Sequence, residues 1–347
     1  MVSTIETPTD YASYATQRSL ASDRPLPWNV MGRALNIDDA PVADVLATSG
    51  LDYDVRALEV AAFHRTDKSE PLALADFVEA PTLQAIVRPM PDGADKVLAV
   101  TGSRYTIVQN REAFAIADDL RRMGGKITGA TDFRGGGSSL LAVEMPQGIT
   151  VRTPGGLDHT DLNLLIRNAH DGSASVTFAL TPIRLACTNA LQGAVGKAAA
   201  SWKIRHTPTA QTRVTEAHDA ILKATGFAAE FQALAQRMAD TRMVDDEFNK
   251  IVASLWYADP EDESRKAEQR REVQEEVRAL YQTSDTLAGV RGTMWGGYNA
   301  LTEYLDHYRP VKGQTPEARA VSRAEGALEG AYVRRKVAIL DRFAAAV

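Results

Sequence analysis

The sequence predicts an α+β protein, with an antiparallel-rich sheet and a few helices in the N-terminal portion, followed by an all-helical C-terminal bundle. Two observations carry this prediction. Residues 162–167 and 175–180 show strand alternation on either side of Ala169-His170-Asp171-Gly172. Asp-Gly between alternating runs is typical of a β-hairpin. After Pro208 the next proline is Pro260, and apolar residues recur at the helical spacings of three and four.

The chain divides into three predicted segments. Residues 1–35 are rich in Thr, Ser, Asp, Tyr and Pro without periodicity, which predicts an extended N-terminal arm. Residues 36–207 are predicted to form a β-rich α+β domain, and residues 208–347 a helical domain. A length of 347 residues agrees with about two domains, at roughly 100–200 residues each.

The elements of the β-rich domain follow in order. A helix is predicted over residues 42–49, closed by Gly50. Short apolar runs near residues 55–63, 83–87 and 97–100 predict strands. Residues 105–110 predict a β-branched strand that ends on Asn110 as the N-cap of a helix.

That helix is predicted to end at Gly124-Gly125. Residues 126–133 and 138–145 then predict paired strands joined by the glycine-rich Arg134-Gly135-Gly136-Gly137. Because a strand and not a helix follows these glycines, we expect a hairpin turn here and not a dinucleotide site.

The helical domain has five predicted helices. They cover residues 213–243, the stripe at 248–255, a helix starting at Pro260, residues 292–308, and Pro316 to the end. Arg334-Arg335-Lys336 lies between Val333 and Val337, and we expect it to be a solvated side of the last helix.

Composition excludes several classes of protein. The chain has 39 Lys and Arg against 45 Asp and Glu, a net charge of −6 that excludes a uniformly basic nucleic-acid coat. Its single cysteine, Cys187, excludes a disulfide scaffold and a multi-cysteine zinc module. No run approaches the ~18–20 apolar residues of a membrane span. We expect a cytoplasmic protein without a membrane partner, a cofactor or a metal.

Two polar clusters are candidates for chemistry. Cys187, Asn189 and His206 are the residue types of a thiol-nucleophile site, although Cys187 lies in an apolar run in which a free thiol packs as a small hydrophobe. Asn299, Glu303 and His307 recur every four residues on one helix face. They could hold a metal only with a further ligand pair. The alternative is a buried polar network that fastens this helix to the β-rich domain.

A basic segment is the third candidate. Between Asp161 and His206 the chain has five Lys and Arg against two Asp, a local charge of +3 in an acidic chain. Its phosphate-contact candidates are Arg167, Arg184, Lys203 and Arg205, with Trp202 or Tyr105 as a stacking partner for bases. In a strand, Lys203 and Arg205 share one side, and Trp202 lies on the other. The alternative is that each arginine pairs with an acidic residue elsewhere.

Several stretches, in their order along the chain, resemble the phage/plasmid-like proteins that carry domain of unknown function 932. They are Tyr105-Thr-Ile-Val-Gln109-Asn110, Arg184-Leu-Ala-Cys187-Thr-Asn189-Ala-Leu191, Ile204-Arg205-His206-Thr207, Gly292-Thr293-x-Trp295, and Asn299-Ala-x-Thr302-Glu303-Tyr304-x-Asp306-His307. The resemblance implies a protein of a mobile genetic element that acts in the host cytoplasm. It carries no established activity. The sheet-plus-helix organisation also has a remote, fold-level similarity to single-strand annealing proteins, and fold does not determine function.

Three hypotheses follow. The first is a DNA-metabolism accessory protein that binds single-stranded DNA and promotes annealing. The second is an enzyme in which Cys187, Asn189, His206, Glu303 and His307 converge in a pocket between the two domains. The third is a non-catalytic interaction protein that binds a partner or a second copy of itself as a homo-oligomer.

Overall fold

The structure, a computed structural model, describes residues 40–63, 77–90, 93–133, 135–184, 189–190, 201–223, 226–316, 318–319, 322–323 and 331–347. The predicted arm at residues 1–35 lies outside them, as does Cys187. Antiparallel sheets occupy the first portion and helices dominate the second, which confirms the predicted α+β class.

A small three-stranded sheet comes first along the chain. It contains β1 (Arg56–Phe63), β2 (Phe77–Pro89) and β3 (Asp95–Gly102), paired antiparallel in the order β1-β2-β3. Gln84 of β2 donates a hydrogen bond to the Tyr105 carbonyl, which joins this sheet to the segment that leads into the next helices.

The large sheet has seven strands. The strands are β4 (Lys126–Phe133), β5 (Ser138–Glu144), β6 (Ile149–Thr153), β7 (Gly156–Ala169), β8 (Val176–Arg184), β9 (Asn189–Ala190) and β10 (Ser201–Ile204). Their order in the sheet is β10-β8-β7-β5-β4, with β6 beside β7 and β9 beside β8, and all pairs are antiparallel. Both predicted hairpins, β4–β5 and β7–β8, are present. In β10, Lys203 is exposed whereas Ile204 is buried, as strand alternation requires.

Three helices accompany the sheets. Helix α1 (Val42–Ser49) ends at Gly50, whose φ of 72° is left-handed and suits glycine, as predicted. Helices α2 (Asn110–Phe114) and α3 (Ile116–Arg122) follow β3. The prediction of a strand over residues 105–110 is wrong, because residues 105–109 pair with no strand. Asn110 is also not the N-cap: Gln109 caps α2 in a capping box with Glu112. The Asn110 side chain therefore remains available for contacts elsewhere.

The described parts of the second portion contain six further helices. They are α4 (Ala210–Lys223), α5 (Gly226–Asp240), α6 (Asp245–Leu255), α7 (Arg265–Thr283), α8 (Met294–Glu303) and α9 (Ala331–Ala344), with a 3-10 turn at Asp285–Leu287. Helix α8 continues directly into a π-helical turn, Tyr304–Tyr308. Helix α7 begins five residues after Pro260 because Ser264 caps it, accepting a hydrogen bond from the Ala267 amide.

One hydrophobic core extends from the large sheet into the helices. Alternate residues of β7 and β8, such as Ile166 and Phe178, are buried in the same cluster as Phe231 of α5 and Trp295 of α8. The other face of the sheet is buried as well: Leu165 is 0% exposed and Arg167 is 3% exposed. The polar positions of the predicted hairpin therefore do not form a solvated face.

Helix α8 connects the helices to the sheet. All ten of its residues are buried, and Trp295 Nε1 donates to Asp158 of β7 at 2.7 Å. None of the helices in the described parts of the chain is long and apolar enough to cross a membrane.

Candidate functional site at the hairpin end of the large sheet

Several connecting segments meet at one end of the large sheet, which we call the hairpin end. The β4–β5 turn and the end of β7 lie together here, because Ser138 pairs with Ala169. The end of β10 lies at the same end, because Ile204 pairs with Val176 at the start of β8. Antiparallel pairing thus brings residues distant in sequence to one edge.

A buried polar network lies beneath these turns and is formed by Asn110, Asn168, His170 and Ser139. Asn168 Nδ2 donates to the Val108 carbonyl at 2.8 Å and to Asn110 Oδ1 at 3.0 Å. Asn110 Nδ2 donates in turn to the Leu51 carbonyl at 3.0 Å and lies 3.3 Å from Ser139 Oγ. All four side chains of the network are buried. Because a buried amide without partners is costly, these bonds bind the segment before β1 and helix α2 to the sheet.

His170 completes this polar network. Its Nε2 lies 3.3 Å from both Asn168 Nδ2 and Asn110 Oδ1, and its backbone amide donates to the Gly137 carbonyl at 2.7 Å. Burial lowers the pKa of His170 from 6.5 to about 3; nearby His206 and Arg88 lower it further, and Asp171 opposes them. His170 is therefore neutral at physiological pH and acts as a hydrogen-bonding group without charge.

A stacked pair of rings, Tyr105 and His206, flanks the network. Their ring centroids are 4.6 Å apart at an interplanar angle of 16°. His206 Nδ1 lies 3.1 Å from the Thr106 carbonyl, and Tyr105 donates its hydroxyl to the Ala169 carbonyl at 3.2 Å. Burial lowers the pKa of His206, while the carbonyls of Thr106 and Ala169 raise it in part. Burial, with Asp171, raises the pKa of Tyr105.

Exposed cations lie on the segments that carry this stack. Arg104 and Arg205 precede Tyr105 and His206, and the two segments are hydrogen-bonded, Thr106 N to His206 O at 3.2 Å. Arg104, Lys203 and Arg205 are all exposed. Within the part of the chain that the structure describes, no ion pair engages any of the three. Among the described residues, Arg205 therefore does not show the alternative in which each arginine pairs with an acidic residue.

The remaining members of the predicted phosphate-contact set are placed differently. Arg167 lies inside the sheet, where its Nε donates to Ser138 Oγ at 2.9 Å, so it is not on the surface with Lys203 and Arg205. Trp202 is half-buried and packs against the core. Arg184 ends β8 at the opposite end of the strand, and its side chain lies outside the described residues.

Asn189 and His206, two described members of the predicted Cys/His/Asn/Glu pocket, lie at opposite ends of the sheet. Asn189 pairs with Arg184 at the last residue of β8, whereas Ile204, just before His206, pairs with Val176 at the first. The eight residue-to-residue steps from Val176 to Arg184, at about 3.3 Å each, separate these ends by about 26 Å. His206 and Asn189 therefore cannot act on the same small substrate.

The second predicted cluster lies in the helical portion. Strand β9, which carries Asn189, packs against α8, which carries Asn299 and Glu303. Asn299 Nδ2 donates to the Trp295 carbonyl within α8 at 2.7 Å, and Glu303 accepts hydrogen bonds from Ser284 and Thr286. His307 lies in the π-helical turn that follows. These bonds of Glu303 fasten α8 to the 3-10 turn, whereas Trp295, through Asp158, makes the bond to the sheet.

Among the described residues, no group of three or more His, Cys, Asp or Glu side chains is arranged to hold a metal ion.

Sequence reasoning missed the network of Asn110, Asn168 and His170. Asn110 has the residue type of an N-cap, and His170 lies in a hairpin turn, where polar residues are ordinary. One signal was available: Asn168, near the end of a strand of Leu and Ile, is a polar residue in an apolar run. A buried amide in such a run requires partners from other segments.

The fold and site define an α+β protein with a large antiparallel sheet, a buried Asn–His network at one end and an exposed basic group beside it. The family model described as "Domain of unknown function (DUF932)" matches residues 97–328. The chain belongs to this family, which confirms that the sequence motifs resemble domain of unknown function 932. No curated protein and no solved structure matches the chain.

Proposed function

We propose that the protein binds single-stranded DNA at the hairpin end of the large sheet, through Arg104, Lys203 and Arg205. One observation carries the proposal: three exposed cations, which form no ion pair among the described residues, lie on adjoining segments at an edge of the sheet. Cations that are not neutralised by protein carboxylates are free to contact phosphates and to release counterions from the nucleic acid.

The aromatic side chain beside these cations is Tyr105. It is half-buried and held by its stack on His206 and by its hydroxyl bond to Ala169. An aromatic ring held in place beside cations is the chemistry that binds unpaired bases without sequence preference. Trp202 is the weaker candidate because it packs against the core.

The position of Arg167 narrows the proposed contact set. Since Arg167 is 3% exposed and bonded to Ser138, we assign it to the internal packing of the sheet and not to phosphate contact. Lys203 lies directly across the strands from Thr177, which pairs with Arg167, so the surface cation and the buried arginine occupy one row.

The biological setting is part of the proposal and comes from the family resemblance. We propose a role in DNA metabolism of a phage or plasmid, in the host cytoplasm, with annealing of complementary strands as the activity. A strand-annealing assay with two complementary labelled oligonucleotides tests this separately from binding. Bound DNA without faster annealing would restrict the function to binding.

Fluorescence anisotropy with a labelled single-stranded oligonucleotide tests the binding proposal. We expect binding by the unmodified protein at low salt and its loss in R104A/K203A/R205A. The matched control is R265A/K266A, which removes exposed cations from the start of α7 and leaves binding unchanged. The logarithmic salt slope of residual binding should be smaller by about 2, at roughly 0.7 for each lost phosphate contact to a single strand.

Two outcomes contradict the proposal. One is an absence of binding by the unmodified protein at low salt, at which phosphate contacts are strongest. The other is equal binding by R104A/K203A/R205A and the unmodified protein. The variant Y105L, which removes the ring, distinguishes stacking from charge: it should weaken binding to single strands and leave the salt slope unchanged.

A further inference from the structure

The small sheet presents an exposed apolar face. Among the described residues, seven of the eleven large hydrophobic residues that are exposed belong to β1, β2 and β3. Concentrated apolar exposure of this kind marks an interaction surface, whereas single exposed residues are ordinary.

Four of these side chains share one face, which we call the outer face. Leu58, Ala85 and Val100 form one row across the three strands, and Leu83 is opposite Gly102 in a neighbouring row. Residues directly opposite one another in a sheet point to the same side. Leu58, Leu83, Val97 and Val100 are 42%, 41%, 59% and 56% exposed.

A β-bulge brings the two valines together. Val97 pairs with Val87 and Val100 pairs with Ala85, although three residues separate the valines along β3. In a regular strand this odd spacing would put them on opposite faces; the register shift between Ile86 and Val87 puts them on one face. Val87, which lies between Arg56 and Val97 in this row, is only 1% exposed, so the exposed apolar area of the face comes from the residues around it. The opposite face carries Ile86, which is 0% exposed, and Gln84, which bonds to Tyr105, so it faces the rest of the protein.

The charges of the outer face restrict what can cover it. Arg56 and Asp95 lie at one end of this face and bind each other, with Arg56 Nη2 2.7 Å from both carboxylate oxygens. Counted over its described residues, the face is therefore neutral and offers no uncommitted cation, unlike the DNA surface proposed above. A polyanion or an anionic headgroup has nothing to bind there, whereas a neutral apolar surface fits.

We propose that the outer face of the small sheet is the site of self-association, in which a second copy of the chain presents the same face around a two-fold axis. In such an isologous contact, the neutral apolar patch of one copy packs against the same patch of the other copy, and no like charges meet. Strands β1 and β3 are both edges among the described strands of this sheet, so their outer backbone groups are also available to the partner.

The size of the face predicts a reversible dimer. Three strands about 4.8 Å apart and roughly eight residues long give a few hundred Å² per partner, below the ~800 Å² of a standard interface. The dimer is therefore expected to dissociate on dilution. This inference does not depend on DNA binding, and either proposal can fail while the other holds.

Size-exclusion chromatography with light scattering of the full chain tests it. At high concentration we expect a mass of twice the 37.6 kDa chain, falling towards one chain on dilution. The variant V97K/V100K should have the mass of one chain at every concentration, because lysines on both copies would face each other. L157K is the control: Leu157 is 76% exposed at the start of β7, and its replacement should leave the dimer intact.

Each outcome decides the question. A single-chain mass for the unmodified protein at all concentrations, or a dimer that persists in V97K/V100K, overturns the proposal. If V97K/V100K loses its fold by circular dichroism, hydrogen exchange of the unmodified protein decides instead. Protection of residues 95–102 that rises with protein concentration supports the interface, and protection independent of concentration contradicts it.

Discussion

Lys336 of α9 and Asp306 of the π-helical turn form a buried ion pair, in which Lys336 Nζ lies 2.6 Å and 2.8 Å from the two carboxylate oxygens. Lys336 is 0% exposed and Asp306 is 6% exposed. The predicted solvated side of α9 is therefore correct for Arg334 and Arg335, which are exposed, and wrong for Lys336. The pair joins the last helix to the segment that follows α8.

Breaking this ion pair should destabilise the protein strongly. Lys336→Met removes this cation from the buried Asp306 carboxylate, and we expect a loss of about 3–5 kcal/mol in the free energy of unfolding. Urea unfolding followed by circular dichroism measures it. Arg334→Met, on the exposed side of the same helix, should change stability by less than about 0.5 kcal/mol. Equal losses in the two variants would show that the pair has no special role.

The double variant Lys336→Met/Asp306→Leu separates the ion pair from the packing of the lysine stem. Because both charges are removed, most of the loss seen in Lys336→Met should be recovered. If the double variant is as unstable as the single one, then the uncompensated charge is not the cause.

The amide network at the hairpin end should also stabilise the fold. Asn168→Ala removes the donor to Val108 and Asn110 and leaves buried groups without partners, at a cost of about 1–3 kcal/mol. Chemical denaturation gives the value. Asn249→Ala is a matched control, because Asn249 is half-buried in α6 and is outside this network. A loss in the control as large as that in Asn168→Ala would contradict the assignment.

Stability should fall on acidification because of the buried histidines. The pKa of His170 is lowered from 6.5 to about 3 in the folded protein, so between these pH values the unfolded chain binds more protons. The free energy of unfolding therefore rises with pH across this window, by up to about 1.4 kcal/mol per pH unit for one group. The lowered pKa of His206 acts in the same direction.

Denaturant unfolding at several pH values tests this linkage. In His170→Gln the slope below pH 6.5 should be smaller than in the unmodified protein. Asn249→Ala removes no titratable group, so it should leave the slope unchanged. Parallel pH profiles for His170→Gln and the unmodified protein would show that His170 does not titrate as its burial requires.

The backbones of the β6–β7 turn and of the segment before α8 lie so close together that a side chain between them should destabilise the fold. Gly155 donates a hydrogen bond to the Gly289 carbonyl at 2.9 Å, and a Cβ on Gly155 would lie 2.3 Å from the Gly289 Cα. Gly155→Ala should cost about 1–3 kcal/mol. A Cβ on Gly289 would meet only Gly155 Cα, at 3.6 Å, so Gly289→Ala is the control and should be tolerated. Thermal melts compare the two, and similar melting temperatures would contradict the contact.

The β-hairpins and many of the helices follow from the sequence because their signals are local. Strand alternation around Asp171-Gly172 and the Gly50 stop depend on neighbouring residues only, and the structure confirms both. The burial of Lys336 could also be predicted from the sequence, because Lys336 shares a helical stripe with Ile339, Leu340 and Phe343, which are all buried. The adjacent charges of Arg334 and Arg335 indicate a solvated side, but this helical period is the stronger signal for Lys336.

Contacts between segments that are distant in sequence determined which residues form the site. The segment at residues 105–109 has the composition of a strand, yet no strand pairs with it, and its capping box with Glu112 directs Asn110 into the network with Asn168 and His170. The register of β8 separates Asn189 from His206, which their nearness in sequence did not reveal.

By itself the sequence determined the α+β class, the family and the local elements, because propensity, periodicity and turn chemistry act over a few residues. Only the tertiary structure decided which side chains meet. It placed Arg167 inside the sheet, left Lys203 and Arg205 on its surface, and brought Val97 and Val100 to one exposed face. The physical reason is that strand register and helix packing are set by burial across the whole core, and a shift of one residue moves a side chain from one face of a sheet to the other.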